Sequence, residues 1–138
     1  MSFGAKARVR HVGRVVAFKL DGAATLPPDA PFGPPPNPPE QVASTPEVSE
    51  GAQHYAAYCA RCHGFGTDSA NVVPDLRRSL ILTDKSTWQQ VVIGGAFEAR
   101  GMVGWAKYLN PAQAETIRAY VGEQARALKK QETEKPAK

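Results

Sequence analysis

Cys59-Ala60-Arg61-Cys62-His63 constrains this chain more than any other segment. Two thiols separated by two residues, with an imidazole directly after them, have the spacing at which a c-type haem is attached. Both thiols can reach the vinyl groups on one porphyrin edge, and the attachment then carries the imidazole beneath the iron as an axial ligand. Other chemistries of Cys59 and Cys62 fit less well. Structural zinc wants four ligands, usually as two separated pairs. Here there are two cysteines, adjacent Cys62 and His63 crowd one tetrahedral ion, and only His54 could be added. A redox dithiol wants its first cysteine at a helix N-terminus after a strand, whereas Cys59 closes a helical pattern. A disulfide across so tight a loop is the weakest alternative.

The chain has 138 residues, enough for one domain with tails. Its net charge of +4 is spread over both ends (Lys6, Arg8, Arg10, Arg14; Lys129, Lys130) without interleaved aromatics, which gives no nucleic-acid footprint. No run approaches the roughly 20 apolar residues of a membrane helix. Residues 1–20 start basic but lack the apolar run and cleavage site of a signal peptide. Haem is normally attached covalently outside the bacterial cytoplasmic membrane, so a periplasmic location requires an export signal this chain does not carry. The expectation is either a separate signal or a piece of a longer exported protein.

Nine of the twelve prolines lie between Pro27 and Pro46, and Pro34-Pro35-Pro36 imposes extended polyproline backbone. Residues 27–43 therefore read as a semi-rigid linker, with a floppy tail as the alternative. Before it, Val15 to Leu20 is strand-like, with Val16, Phe18 and Leu20 on one face and no partner strand. Residues 44–130 form the candidate domain, and 131–138 read as a polar tail, frayed and solvated after Leu128. Ser44 or Thr45 caps a first helix with Pro46 and Glu47 in its first turn and a stripe of Val48, Ala52, Tyr55 and Cys59, ending at Gly64. Residues 64–83 are loop-rich. A short helix runs from about Ser86 to Ile93, stopped by Gly94-Gly95. The last helix opens on Asn110-Pro111-Ala112-Gln113, a capping box with proline first, and carries Ala114, Ile117, Tyr120 or Val121, and Leu128 at helical spacing.

Met102 is the candidate for the sixth iron position, because the only other methionine is the initiator. It sits in the glycine-flanked segment Gly101-Met102-Val103-Gly104, where a core-filling methionine is less expected than on a helix stripe. Thioether opposite imidazole is the pairing of electron-transfer haems. Core filler remains the alternative for Met102. His54 is a second ligand candidate, poorly aimed because it precedes Cys59 on the same helix, and His11 has no assigned role. Pro74 leads a loop whose carbonyl could accept the second ring proton of His63, with Leu76 against the haem face. Arg77 or Arg78 could pair with a haem propionate or remain a solvated charge. Trp88 and Trp105 could donate indole hydrogens to propionates or simply line the pocket.

Gly51, Tyr55, Cys59 to Gly64, Pro74-Asp75-Leu76, Gly101-Met102 and Ile117 with Tyr120 resemble a small class I cytochrome c. That likeness implies an all-α fold of three to four helices around one covalently bound haem c, here preceded by the proline-rich linker and the isolated strand-like segment. It also implies that the first and last helices cross at Gly51 and Tyr120. Val103 departs from the proline that often follows the methionine in that family.

A wider likeness adds Gly13 to Gly22 and Leu26-Pro27-Pro28, and is similar to quinohaemoprotein alcohol dehydrogenases. In those periplasmic enzymes a propeller holding pyrroloquinoline quinone (PQQ) oxidises an alcohol and passes electrons singly to a C-terminal haem domain. Residues 1–26 then correspond to the end of the propeller, and PQQ belongs to a preceding or partner domain. The implied function is one-electron transfer, not bond chemistry, from a PQQ dehydrogenase domain to a soluble cytochrome, an azurin-like carrier or a respiratory chain component. A ligand sensor or weak peroxidase with an open sixth site is the first rival. A structural zinc or dithiol module is the second.

Overall fold

A computed structural model describes residues 17, 19–25, 34–40, 42–69 and 73–134. Among these residues there are four α-helices, four 3₁₀ turns and no strand, an all-α fold as the sequence predicts. The helices are α1 (Thr45–Tyr58), α2 (Ala60–His63), α3 (Lys85–Val92) and α4 (Pro111–Thr133). Val15, Val16 and Phe18 of the strand-like run lie outside the described residues. Its end is a turn instead, with the Gly22 amide donating to the Lys19 carbonyl at 3.1 Å and Asp21 at φ 62°.

α1 starts where its polar residues can satisfy the first turn. The Glu47 carboxylate accepts from the Ser44 amide at 2.8 Å and from the Ser44 hydroxyl at 2.6 Å. Pro46 occupies an early position where its missing N–H costs nothing. The predicted single helix to Gly64 is divided at Cys59 (φ −115°, ψ −34°), after which α2 forms one turn carrying Cys62 and His63. Gly64 stops it at φ 78°, and a Cβ there would lie 2.0 Å from the Asp68 carbonyl oxygen. Glycine is required at this position on both counts.

α4 begins with the predicted capping box, Asn110 and Gln113 exchanging bonds of 3.0 and 2.9 Å. Ala114, Ile117, Val121, Ala125 and Leu128 face the interior at helical spacing. Tyr120 sits half-buried beside this stripe, its ring 5.1 Å from that of Tyr55. The helix continues to Thr133, where Glu132 pairs with buried Arg78, so the frayed end expected after Leu128 is corrected. A carboxylate reaching a buried guanidinium supplies the anchoring that composition alone hides.

α1 and α4 cross at Gly51. A Cβ at that position would stand 1.9 Å from the Thr116 carbonyl oxygen and 3.0 Å from Tyr120 Cβ. α3 starts at Lys85 because Asp84 accepts from the amides of Ser86 and Thr87 at 2.9 and 3.2 Å. It packs on α4 through Trp88, whose indole N–H donates to the Ala114 carbonyl at 2.8 Å. Within residues 64–83 the chain makes 3₁₀ turns at Phe65–Thr67, Leu76–Arg78 and Leu80–Thr83. No helix among the described residues is long and apolar enough to cross a membrane.

Two predictions follow from this packing. Gly51→Val should force the helices apart and lower the stability of the haem-loaded protein by about 1–3 kcal/mol or more, read as a depressed melting temperature. Asp84 is held below the usual carboxylate range by the Thr87 hydroxyl and then the Thr87 amide. Its contribution is therefore present above about pH 4, the ordinary carboxylate value, and is lost as pH falls through the lowered folded value. The stability gap between wild type and Asp84→Ala should be open at neutral pH and close in acid.

Candidate functional site

The attachment segment lies where α1 ends against α4, so helix packing sets its position before any ligand is considered. Cys59 is half-buried against the hydrophobic core, while Cys62 is exposed. Burial, reinforced by Cys62, pushes the Cys59 thiol up to about 12. A thiol raised in this way is itself a poor nucleophile. Nor is there, among the described residues, a group of three or more His, Cys, Asp or Glu placed to hold a metal ion. His54 is drawn to α4, with Nδ1 3.2 Å from the Thr116 hydroxyl and Nε2 3.4 Å from the Gln113 amide nitrogen.

His63 is half-buried, and burial holds its pKa below the ordinary imidazole value while the Pro74 carbonyl pulls the other way. Its Nδ1 is buried and completes no hydrogen bond by geometry. The ring nitrogen is thus turned toward the Pro74 carbonyl without closing on it. Closing on that carbonyl would give the buried Nδ1 its partner and fix the tautomer of the ring.

The loop around Pro74 is fixed by charge. Asp75 accepts from the Arg77 amide at 3.0 Å and from its guanidinium at 2.8 and 2.7 Å, and Asp68 meets the same guanidinium at 3.1 Å. Arg77 is 6 % exposed, and these two carboxylates hold its guanidinium. Arg78 likewise bonds the Pro34 carbonyl at 3.0 Å and the Glu132 carboxylate. Trp88 is 2 % exposed with its N–H committed to Ala114, which corrects the propionate expectation and makes it a core residue.

Met102, Leu76 and Trp105 are partly buried against the same core that Cys59 touches. The methionine loop is pinned at several points. The Met102 amide donates to the Phe97 carbonyl at 3.2 Å, and the Trp105 amide to the Val92 carbonyl at 2.8 Å. Gly101 takes φ 90°, a conformation that favours glycine. Trp105 stacks edge-on to Tyr58, with centroids 5.4 Å apart. Two thiols, an imidazole and a thioether beside an apolar wall form a donor set that fits a covalently attached haem.

Tyr55 has a role the sequence reading missed. Its hydroxyl donates to the Gly64 carbonyl at 2.7 Å and so ties the chain just past His63 back to α1. Helical spacing had placed Tyr55 only on an apolar stripe. The available signal was a tyrosine at a fully buried position, where a phenol must find an acceptor. His11 lies outside the described residues.

Residues 46–121 match the family described as "Cytochrome C oxidase, cbb3-type, subunit III". The chain is 39% identical to quinohemoprotein alcohol dehydrogenase ADH IIB of Pseudomonas putida, over 82% of this chain and 16% of that protein. It is 34% identical to the dehydrogenase subunit of alcohol dehydrogenase (quinone) from Gluconobacter oxydans (strain 621H), over 85% of this chain and 15% of the relative. The solved structure of quinohemoprotein alcohol dehydrogenase ADHIIG from Pseudomonas putida HK5 superposes with a TM-score of 0.65 at 30% identity, covering 81% of this chain and 16% of that one. The chain thus spans about a sixth of the length of the relatives it matches.

Tyr55→Phe should leave the Gly64 carbonyl without its donor and cost about 1–3 kcal/mol. Chemical denaturation of the haem-loaded protein measures this as a lower midpoint at unchanged slope.

Proposed function

The chain belongs to the cytochrome c family matched above, a haem electron-transfer family, and from that premise we propose a one-electron relay with His63 and Met102 as axial ligands. The observation that carries the reading is that Cys59, which opens the attachment segment ending in His63, packs against the same core cluster as Met102. When bound, haem c supplies an iron that changes by one electron between its ferrous and ferric forms.

Every other part of the task falls to the chain. Cys59 and Cys62 hold one porphyrin edge by thioether bonds. His63 keeps its proton on Nδ1 for the Pro74 carbonyl, which fixes the tautomer and strengthens the other nitrogen as a donor. Met102 would supply the second iron ligand and so keep small molecules from the iron. Leu76 and Trp105 exclude water from the face, and the Arg77 pairs with Asp75 and Asp68 hold the Pro74 loop steady. With both axial positions taken, the domain transfers electrons and leaves bond chemistry to its partner.

The likeness to quinohemoprotein alcohol dehydrogenases supports a PQQ dehydrogenase domain as the electron donor, with PQQ held there and not in this chain. It also supports a periplasmic setting, and an acceptor among soluble cytochromes, azurin-like carriers or respiratory chain components. In this reading residues 44–130 are the electron-transfer body, 27–43 the connector and 1–26 the end of the dehydrogenase part.

The visible to near-infrared spectrum of protein matured in a periplasm tests the ligand pair. The expected result is low-spin haem with a ferric thioether-to-iron band in the near infrared, which Met102→Ala abolishes. Covalently bound haem that is high-spin, and that takes up carbon monoxide readily when ferrous, contradicts Met102 as ligand and favours a sensor or weak peroxidase.

A further inference from the structure

The proline-rich segment does not hang free of the domain. Residues 34–40 lie along α4, and Pro36 is buried. The Arg126 guanidinium donates to the Pro39 carbonyl at 2.6 Å. Arg78 donates to the Pro34 carbonyl at 3.0 Å while holding Glu132 near the end of α4. At the Pro39 end Gly122 leaves room for a ring, since a Cβ there would stand 3.2 Å from Pro39 Cδ.

The two backbones have matching lengths. From Pro34 to Pro39 an extended polyproline chain advances about 15.5 Å, at about 3.1 Å per residue. From Gly122 to Glu132 a helix advances about 15 Å, at about 1.5 Å per residue. The Pro39 end of the strap lies at Gly122 and Arg126 and the Pro34 end at Arg78 beside Glu132, so the strap runs antiparallel to α4. Prolyl carbonyls suit this clamp. A polyproline chain spends no carbonyl on internal hydrogen bonds, so each can accept from a guanidinium, and its stiffness lowers the entropy lost on docking.

We propose that the face of α4 bearing Gly122 and Arg126, together with Arg78, is a receptor for a polyproline segment, occupied by residues 34–39 of the same chain. The strap is then a rigid mount and not a flexible spacer. Whatever precedes Pro34 joins the domain beside residues 75–78, next to the loop whose Pro74 faces His63. The inference stands on protein contacts alone and does not depend on which axial ligands the iron has.

Backbone ¹⁵N relaxation of the haem-loaded, ferrous chain tests it, because Asn37 and Glu40 supply amides within the strap. In the native protein the Asn37 order parameter should approach the rigid-backbone value of about 0.85. In Arg126→Ala, and separately in Gly122→Leu, it should fall below about 0.6 while the haem spectrum and the α4 amides stay unchanged. Gly122→Leu removes no charge and improves helix propensity, so loosening there reports lost docking and not a damaged helix. An Asn37 already below about 0.6 in the native protein overturns the proposal, as does one that stays rigid in both variants.

Discussion

The crossing of α1 and α4 at Gly51 is the contact on which the rest of the molecule depends. With no side chain at Gly51, the backbone of one helix approaches the Thr116 carbonyl of the other at a separation no other residue permits. That close approach stacks Tyr55 on Tyr120 and lays the apolar stripe of α4 along the core. It also sets where α1 ends. Because Cys59 to His63 follow α1 directly, both thiols and the imidazole inherit their position from helix packing and not from a mobile loop.

Around that frame, polar groups position and apolar groups enclose. Tyr55 ties down Gly64, Asp75 and Asp68 hold Arg77, and Glu132 holds Arg78. Buried ion pairs add little net stability because desolvation offsets their attraction, but breaking one strands a charge and is costly. Their effect here is to hold residues 75–78 in one arrangement beside the Pro74 carbonyl. The apolar partners Leu76, Met102 and Trp105 pack partly buried against the same core that Cys59 touches.

Local signals were read well and long-range ones poorly. The attachment segment, the Ser44 and Asn110 caps and the α4 stripe are local, since spacing and cap chemistry act within a few residues. The helix end at Thr133 could not be read locally, because Glu132 is anchored by an arginine 54 positions earlier in the chain. Trp88 looked free to donate to a propionate because nothing nearby reveals that its N–H faces Ala114, 26 residues away. Arg77 and Arg78 looked available for a propionate for the same reason, since their carboxylate partners are identified only by the fold. The strap shows the limit most clearly. Proline content predicts its extended conformation, but docking on Gly122 and Arg126 depends on a helix that begins about seventy residues later.

Everything proposed for this site requires that Cys59 and Cys62 hold haem covalently. The intact mass of the chain, matured in a periplasm and then fully denatured, decides this. The expected mass is that of the polypeptide plus one haem, with neither thiol open to alkylation, and the adduct is lost in Cys59→Ala/Cys62→Ala. The bare polypeptide mass with both thiols alkylated, after competent maturation, contradicts it and returns the pair to dithiol or zinc chemistry.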